Sequence, residues 1–409
     1  ATIARAGPAP PRRADNLLFL LIDTVRADRL GAAGYTRAGA SLTPRMDRLA
    51  GSGSYFRRAW AQSSNTPRSV PSLLTGRYPS QLTFHQSFHN FPRLEDGELT
   101  LFEVLQAAGI HTVGYASHVY FARRRNVDQG FDRFDNGGAR DLRASVDDIA
   151  APRIVPKAVA KLAELAASGR RFAMFVHLFE PHFAYVAHPA LFSYSGGSGV
   201  AQMIENYDYE LAYVDRWVGT LLDALADSGL SDSTLVVLVS DHGEAFGAHR
   251  VAGKRVFFHG QTLHDEVLRV PLIAALPGAP AGAHDDPVML IDIAPTVVEA
   301  LGIARPVRFV GRSLVPRMLG QALPPRPVYA ELVPSPSWDR LARMTVDAAG
   351  AYKLIHRVSD NYFELYHLLD DPTESKNLAQ VRRDVRDRLQ AALTRWVEVE
   401  LPRPAAAPR

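Results

Sequence analysis

The chain has 409 residues, 47% hydrophobic and 22% charged, with 46 basic against 43 acidic side chains, a formal charge of +3 and no cysteine. Length and composition fit two to three domains, or one large α/β domain with an appendage, and exclude a disordered chain. Near-balanced charge without a dense Lys/Arg block argues against nucleic acid, and the missing cysteine excludes disulfides, thiolate chemistry and Cys-based zinc sites.

In chain order, residues 1–15 come first, with Ala1–Arg13 rich in Pro, Arg and Ala. They read as an extended linker: a floppy terminus, or the stump of a removed signal peptide or membrane anchor. The longest apolar run, Leu17–Ile22, is far shorter than the roughly 20 residues that span a bilayer. Asn16–Ile22 instead predicts a strand buried on both faces of a parallel sheet. It ends at Asp23. Ligands of open α/β sheets gather at strand carboxyl ends, so Asp23 is either a metal ligand or a helix cap for Thr24 onward.

Thr43–Ala50 predicts a short capped helix leading to Asn65–Gly76. There Thr66 precedes Pro67, which suits the first helical position, so Thr66 is expected as the N-cap. Its hydroxyl would sit at the positive end of the helix dipole, where developing negative charge is favoured. Leu99–Gly109 predicts an amphipathic helix, His111–Ala116 a strand, 144–168 a helix, Arg171–Phe179 a strand, Asn206–Ser228 a long helix and Thr234–Ser240 another apolar strand. This βαβα rhythm predicts a mainly parallel sheet sandwiched by helices.

The strand at Thr234–Ser240 delivers Asp241 and His242 at its carboxyl end, as the first strand delivers Asp23. Oxygen and imidazole together suit zinc or a related divalent ion. The strand from Arg171 exits into the run His177-Leu-Phe-Glu-Pro-His182, and His259 and His264 lie in a later loop on the same predicted rim; substrate contact, a second metal and ordinary structural roles are all open to them. The other histidines, including His89, His118 and His249, read as structural or exposed. Val270–Ala275 predicts a further strand and Ile291–Gly302 a helix. Pro and Gly punctuate 303–336 and mark a domain boundary. Beyond it, Arg343–Val346, Ala351–Arg357 and Phe363–Leu369 read as short antiparallel strands, Val381–Val399 as a closing helix and the tail from Pro402 as frayed. The domains expected are a linker-like 1–15, a catalytic 16–335, a small α+β subdomain 336–401 and a tail 402–409.

Several motifs recur in order from residue 16 to about 380. They are Ile22-Asp-Thr-Val-Arg-Ala-Asp-Arg-Leu-Gly31, Thr43-Pro-x-x-Asp-x-Leu-Ala50, Ser72-Leu-Leu-Thr-Gly-Arg-Tyr-Pro79, Ser240-Asp-His-Gly-Glu244, Arg269-Val-Pro-Leu-Ile273, Asp292-Ile-Ala-Pro-Thr296 and Glu364-Leu-Tyr-x-Leu-x-x-Asp-Pro. Together they resemble the sulfatase-like branch of the alkaline phosphatase superfamily. True sulfatases convert a Cys or Ser, in the pattern Cys/Ser-x-Pro-x-Arg, to formylglycine; the corresponding position here is Thr66, which cannot give that aldehyde. Ser69-Val-Pro71 fits half of the pattern, three residues late and with Leu73 in place of Arg. Thr66-x-x-Ser-Val-Pro71, His177, His182 and His259-Gly260 resemble phosphoethanolamine transferases and, more loosely, lipoteichoic acid synthases. There the threonine is the nucleophile.

The resemblance implies a divalent cation, zinc first with manganese or calcium as alternatives, on Asp23, Thr66, Asp241 and His242. It places His182, His259 and also His177 on substrate oxygens. A bound cation lowers the pKa of an oxygen acid by many units, which would activate Thr66. The expected activity is hydrolysis or transfer of phosphate mono- or diesters through phospho-Thr66. The alternatives are a sulfatase acting on sulfate esters, with or without conversion of Ser69, and an inactive binding protein. Lys254 and Arg68 are additional cationic candidates. The substrate expected is a small-molecule, lipid or glycan ester. The implied location is outside the cytoplasm, with membrane attachment only through a segment absent from this chain.

Overall fold

A computed structural model describes residues 3–85, 91–137, 150–334 and 339–401. His89, positions 144–149 of the expected helix, and the tail from Pro402 lie outside the described residues. In chain order the strands of the main body used below are β1 (Asn16–Ile22), β2 (Ser54–Trp60), β3 (His111–Tyr115), β4 (Arg133–Asp135), β5 (Phe172–Leu178), β6 (Thr234–Ser240), β7 (Ala245–Val251), β8 (Lys254–Phe258) and β9 (Arg269–Ala275). Its helices are α1 (Pro44–Ser52), α2 (Thr66–Thr75), α3 (Leu101–Ala107), α4 (Ala151–Ser168), α5 (Gly199–Asp227) and α6 (Ile293–Ala300).

β1 is buried along its whole length and lies between β5 and β6, parallel to both. The central sheet runs β2-β9-β6-β1-β5-β3-β4, with Gly282–His284 and Val288–Met289 pairing on β2. It is mostly parallel, as the alternation of strands and helices predicts. β9 is the departure, antiparallel to both β6 and β2.

Side chains alternate across a strand, so β1 feeds two cores. Leu17, Phe19 and Leu21 pack with Val70, Leu73 and Leu74 of α2, Phe102 and Leu105 of α3 and Val297 of α6. Leu18, Leu20 and Ile22 pack on the other face with Met46 of α1, Ile154 and Leu162 of α4, and Leu211, Val214 and Val218 of α5. Burial of each such side chain is worth about 1.5–3 kcal/mol, so the strand that carries Asp23 is held firmly on both sides.

The helix ends follow local chemistry. α3 starts with a capping box: Thr100 Oγ1 accepts from Glu103 N at 3.2 Å, and Thr100 N donates to Glu103 Oε2 at 2.8 Å. α5 begins at Gly199, before the expected Asn206. The amino-terminal segment is extended, as its composition suggests, but it is not free. Ala6 N donates to Arg305 O, Val307 N to Ala4 O and Arg13 N to Ala300 O, at 2.8, 3.1 and 2.8 Å.

The carboxy-terminal part is an antiparallel sheet of β10 (Val328–Leu332), β11 (Ala342–Val346), β12 (Tyr352–Arg357) and β13 (Tyr362–His367), with α7 (Arg383–Arg395) packed on it. β10 precedes the boundary expected at 335/336, because its pairing with β11 spans the Pro-rich stretch. Among the described residues no helix is long and apolar enough to cross a membrane.

Candidate metal centre and active site

Register alone brings the acidic strand ends together. Ile22 of β1 pairs with Ser240 of β6 on one side and Leu178 of β5 on the other, so Asp23 and Asp241 leave adjacent parallel strands at the same level. Ser240 then ties the two exits: its hydroxyl accepts from Val25 N at 2.8 Å and donates to His242 O at 2.7 Å. Ser69 of α2 donates to Asp241 O at 2.6 Å, which fixes the helix start against the same loop. At Gly243 a Cβ would stand 2.3 Å from Glu266 O, so the turn between His242 and Glu244 closes only with glycine.

Within this frame Asp23, Asp241 and His242 offer ligand atoms that all lie within 4.8 Å of one another, and all three residues are buried. His242 Nε2 stands 3.7 Å from Asp23 Oδ1 and 3.4 Å from Asp241 Oδ2. Thr66 Oγ1 lies 3.0 Å from the same Nε2. His242 Nδ1 faces Gly243 O at 3.0 Å; a carbonyl only accepts, so Nδ1 carries the proton and Nε2 keeps its lone pair.

Both carboxyl oxygens of Asp23 and Oδ2 of Asp241 are buried without a hydrogen-bond partner. Burial, and then the charge of Asp241, hold the Asp23 carboxyl well above the usual range. Asp241 Oδ1 accepts from His242 N at 3.1 Å; with the other three oxygens lacking donors, two buried, facing carboxylates are unfavourable unless a cation joins them. The donor set therefore fits a divalent ion, with two carboxylate oxygens and one imidazole nitrogen at the distances an ion with bonds of about 2.0–2.4 Å can bridge, and Thr66 Oγ1 beside that nitrogen.

Three further imidazoles surround the cluster. His177 is fully buried, its Nε2 3.5 Å from Asp23 Oδ2, and burial lowers its pKa to about 4. The rings of His182 and His259 lie 4.9 Å apart, with His259 4.4 Å from His242. Each has Nδ1 engaged: His182 donates to Phe183 O at 2.7 Å, and His259 faces Glu244 Oε1 at 3.0 Å. Burial pushes them down to about 3 and about 4, so both are neutral at physiological pH. Tyr185 OH donates to the second oxygen of Glu244 at 2.9 Å, and burial raises that carboxyl to about 7.

Asp23, Thr66, His177, His182, Asp241, His242 and His259 thus meet at one place. Thr66 is displaced by one position from expectation: Asn65 is the N-cap, its side chain accepting from Arg68 N, and Thr66 is the first helical residue with Pro67 behind it. Asn outranks Thr only slightly as a cap, so the one-residue shift carried little signal. His264 lies elsewhere, between Thr262 and Glu364. Arg68 stacks over Phe84 at 4.3 Å, and Lys254 is exposed on β8.

Glu244 and Tyr185 were missed. Glu244 stands in the Ser-Asp-His-Gly-Glu run that drew attention to its neighbours, but nothing marked Tyr185. His118, read as structural, stacks on Phe179 at 4.6 Å, and Phe179 stacks on His182. Residues 24, 185 and 258 have φ of +57°, +52° and +63° although none is glycine. Such backbone clusters at functional sites.

The Sulfatase family model matches residues 15–303, and the model for the C-terminal region of N-sulphoglucosamine sulphohydrolase matches 253–398. The chain belongs to the sulfatase family. A Delta 4,5-hexuronate-2-O-sulfatase of Bacteroides thetaiotaomicron is 31% identical over 188 residues, 43% of this chain and 38% of that protein. An ulvan-active sulfatase of Formosa agariphila is 28% identical over 346 residues, 73% and 64%. A choline-sulfatase of Rhizobium meliloti is 34% identical over 192 residues, 46% and 35%. The matches thus span between 35% and 64% of these relatives' length. Among solved structures, a 2-O GAG sulfatase superposes with TM-score 0.77 at 20% identity, covering 94% of this chain and 92% of that one. A phosphonate monoester hydrolase from Silicibacter pomeroyi superposes with 0.73 at 21%, covering 93% and 94%. These two likenesses concern the fold. The sulfatase branch of the expected resemblance is thereby established.

Proposed function

We propose that this sulfatase-family protein is a divalent-metal-dependent hydrolase of sulfate esters that works without formylglycine and uses Thr66 as its nucleophile. The observation that carries the reading is the 3.0 Å contact of Thr66 Oγ1 with His242 Nε2, inside the cluster of Asp23 and Asp241. Thr66 occupies the position where the family pattern has its convertible residue. Ser69 is no substitute, because its hydroxyl is buried and spent on Asp241 O.

Asp23, Asp241, His242 and Thr66 would hold the cation, which supplies Lewis acidity to the ester and to the threonine hydroxyl. Thr66 Oγ attacks the sulfur or phosphorus, the alcohol leaves, and water releases the threonine. The positive end of the α2 dipole favours the charge that builds up, although Pro67 has no N–H and the N–H groups of Arg68 and Ser69 are taken by Asn65. His182 and His259, their Nδ1–H groups engaged by Phe183 O and Glu244, leave Nε2 as a bare lone pair. That nitrogen can take the proton of the threonine hydroxyl or of the attacking water and pass it to the departing alcohol. Charge also bears on the substrate. Two carboxylates and one divalent ion sum to zero, and the imidazoles are neutral, which suits a monoanion better than a dianion.

A sulfate monoester, a phosphate diester and a phosphonate monoester are all monoanions. Thr66 itself favours keeping the phosphorus esters as a second reading, because an ordinary alcohol is a competent acceptor in phosphoryl transfer. Zinc, manganese and calcium all accept an oxygen-rich set with one imidazole. Substrates drawn from small-molecule or glycan esters, and a site of action outside the cytoplasm, belong to the same proposal.

The test is hydrolysis of p-nitrophenyl sulfate, bis(p-nitrophenyl) phosphate and p-nitrophenyl phenylphosphonate by protein loaded with each metal in turn. Thr66→Ala is expected to lower kcat by at least about 10³-fold while the fold survives. A wild-type adduct on the peptide containing Thr66 would identify the transferred group by mass. Unchanged turnover in Thr66→Ala, or an aldehyde at Ser69, would overturn the assignment.

A further inference from the structure

The β7–β8 hairpin starts directly after Glu244 and ends directly before His259, so both of its ends are rooted in the candidate site. Toward its tip it meets the carboxy-terminal part through His249. His249 Nδ1 faces Glu266 Oε1 at 2.7 Å, and Nε2 faces Thr373 O and Glu374 O at 3.1 and 3.2 Å. The other oxygen of Glu266 accepts from Arg26 Nη1 at 3.4 Å, which keeps that group a carboxylate. Carboxylate and carbonyl oxygens only accept, so both ring nitrogens carry a proton and the ring is an imidazolium. The loop is shaped for this contact. Glu374 holds φ +53°, and its side chain is tied to Lys353 Nζ at 2.8 Å and to Asp265 N.

The surroundings leave the charge on this one ring. His264 stacks on it at 3.7 Å and 8°, and a neutral His264 meets its own partners: Nε2 donates to Glu364 Oε2 at 3.0 Å, and Thr262 Oγ1 donates to Nδ1 at 2.5 Å. Two cations so close would repel, so the stack carries a single charge. The neighbouring ions already have partners. Arg26 also binds Asp28 at 2.7 Å, Lys353 joins Asp265 to Glu374, and Arg357 lies 3.5 Å from Glu364. Arg250 donates to Gly253 O and Arg269 to Arg57 O, while Tyr366 OH donates to Glu364 at 2.8 Å. Burial lowers the His249 pKa, but the hydrogen bond and charge of Glu266 outweigh it, with the charge of Glu374 adding, and hold it above the ordinary histidine value. The side chain is 12% exposed and lines a cavity of about 650 Å³, through which its proton exchanges with water.

We propose that His249 is a pH-sensitive clasp between the β7–β8 hairpin and the loop at Thr373 and Glu374, closed when protonated and released when the proton leaves to water. A neutral ring has one N–H for two sets of acceptors. Its lone pair then faces either the Glu266 carboxylate or the two carbonyls, and both arrangements are repulsive at a site this buried. A group whose folded pKa is raised adds stability that is full below its unfolded value of about 6.5 and is lost as pH rises through the folded value. The clasp therefore opens on the alkaline side, and opening loosens the hairpin that is rooted beside Glu244 and His259. Its effect on catalysis rests on the proposed function; the clasp itself does not.

The test is hydrogen exchange of the whole chain, read by mass spectrometry from pH 5.5 to 9.5 and corrected for the intrinsic rate at each pH. Peptides covering 245–258 and 371–378 are expected to exchange about tenfold faster at pH 9.5 than at pH 5.5, while β10 (Val328–Leu332) and β11 (Ala342–Val346) stay unchanged. The amide of His249→Gln does not titrate. That variant is expected to exchange at pH 5.5 as fast as wild type at pH 9.5, with its own two values within about twofold of each other. Glu266→Gln removes the charge that holds the proton, so its rise should begin at lower pH than in wild type. Corrected exchange independent of pH in the wild type, the same rise in His249→Gln, or an unshifted rise in Glu266→Gln, overturns the inference. No turnover is read. Inactivity toward every ester would remove the proposed function and leave the clasp; pH-independent exchange in an active enzyme would do the reverse.

Discussion

At the scale of single residues, Asp23 and Asp241 show what the site gives up in stability. Both Asp23 oxygens and Asp241 Oδ2 lack donors, and the Asp23 carboxyl is held above its ordinary range by burial first and by Asp241 second. A carboxyl raised in the folded state adds stability only below its unfolded pKa of about 3.9, and that contribution is lost as pH rises through the folded value. Without metal, Asp23→Asn is therefore expected to be more stable than wild type by about 1–3 kcal/mol at pH 8, with a smaller gap at pH 5. Added cation should reverse the order, since only the wild type keeps both carboxylates. Urea midpoints in chelator and in metal at the two pH values test this. A metal-free variant less stable than wild type would make Asp23 a structural cap. Thr66 sits one residue inside the cap rather than on it, and for that reason its hydroxyl is free for chemistry while Asn65 holds the helix end.

At the scale of elements, the candidate site is built where α2 docks by its amino terminus on the exits of β1 and β6. Asn65→Ala removes the side-chain acceptor for Arg68 N and is expected to cost about 1 kcal/mol of stability. It should also lower kcat/KM about tenfold, because the first helical residue, Thr66, is no longer held. Asn65→Asp keeps the cap but adds negative charge where an anionic ester must arrive. Its stability should match wild type while KM rises; unchanged KM would show that the ester does not approach the helix end. The apolar strands at Asn16–Ile22, Arg171–Phe179 and Thr234–Ser240 were legible because strands buried on both faces need continuous apolar runs, and their acidic ends named Asp23, Asp241 and His242 directly. β7 and β8 were not legible, since Ala245–Phe258 mixes Gly, Arg, His and Lys with no regular alternation. Tyr185 escaped for a related reason. It is held in a loop that touches β7 and β8, Tyr185 on Phe246 and Phe183 on Phe258, and periodicity carries no information about such contacts.

At the scale of the whole molecule, the carboxy-terminal sheet is fastened to the catalytic body through a buried ionic knot. Lys353 of β12 is fully buried, with Nζ 2.6 Å from Asp265 Oδ1 and 2.8 Å from Glu374 Oε1. Asp265 lies on the segment leading into β9, and it also accepts from Trp60 Nε1 of β2 at 2.9 Å. Burial pushes the Asp265 carboxyl up, but Lys353 and Arg269 outweigh it and leave it below the usual range; Glu374 stays above, with burial the larger effect. Removing the one cation leaves two buried carboxylates facing each other, a change that typically costs about 3–5 kcal/mol. Lys353→Met, which nearly preserves volume, is therefore expected to lose about that much in urea unfolding at pH 8. The wild-type contribution of Asp265 exists above its unfolded pKa of about 3.9 and is lost as pH falls through the lower folded value. In the variant both carboxyls instead rise and protonate on acidification, so the deficit should narrow steadily from pH 8 toward pH 4. The double variant Lys353→Met with Asp265→Asn should recover part of the loss at pH 8. A single variant as stable as wild type at pH 8, or a deficit independent of pH, would show that the sheet is held by its apolar contacts alone.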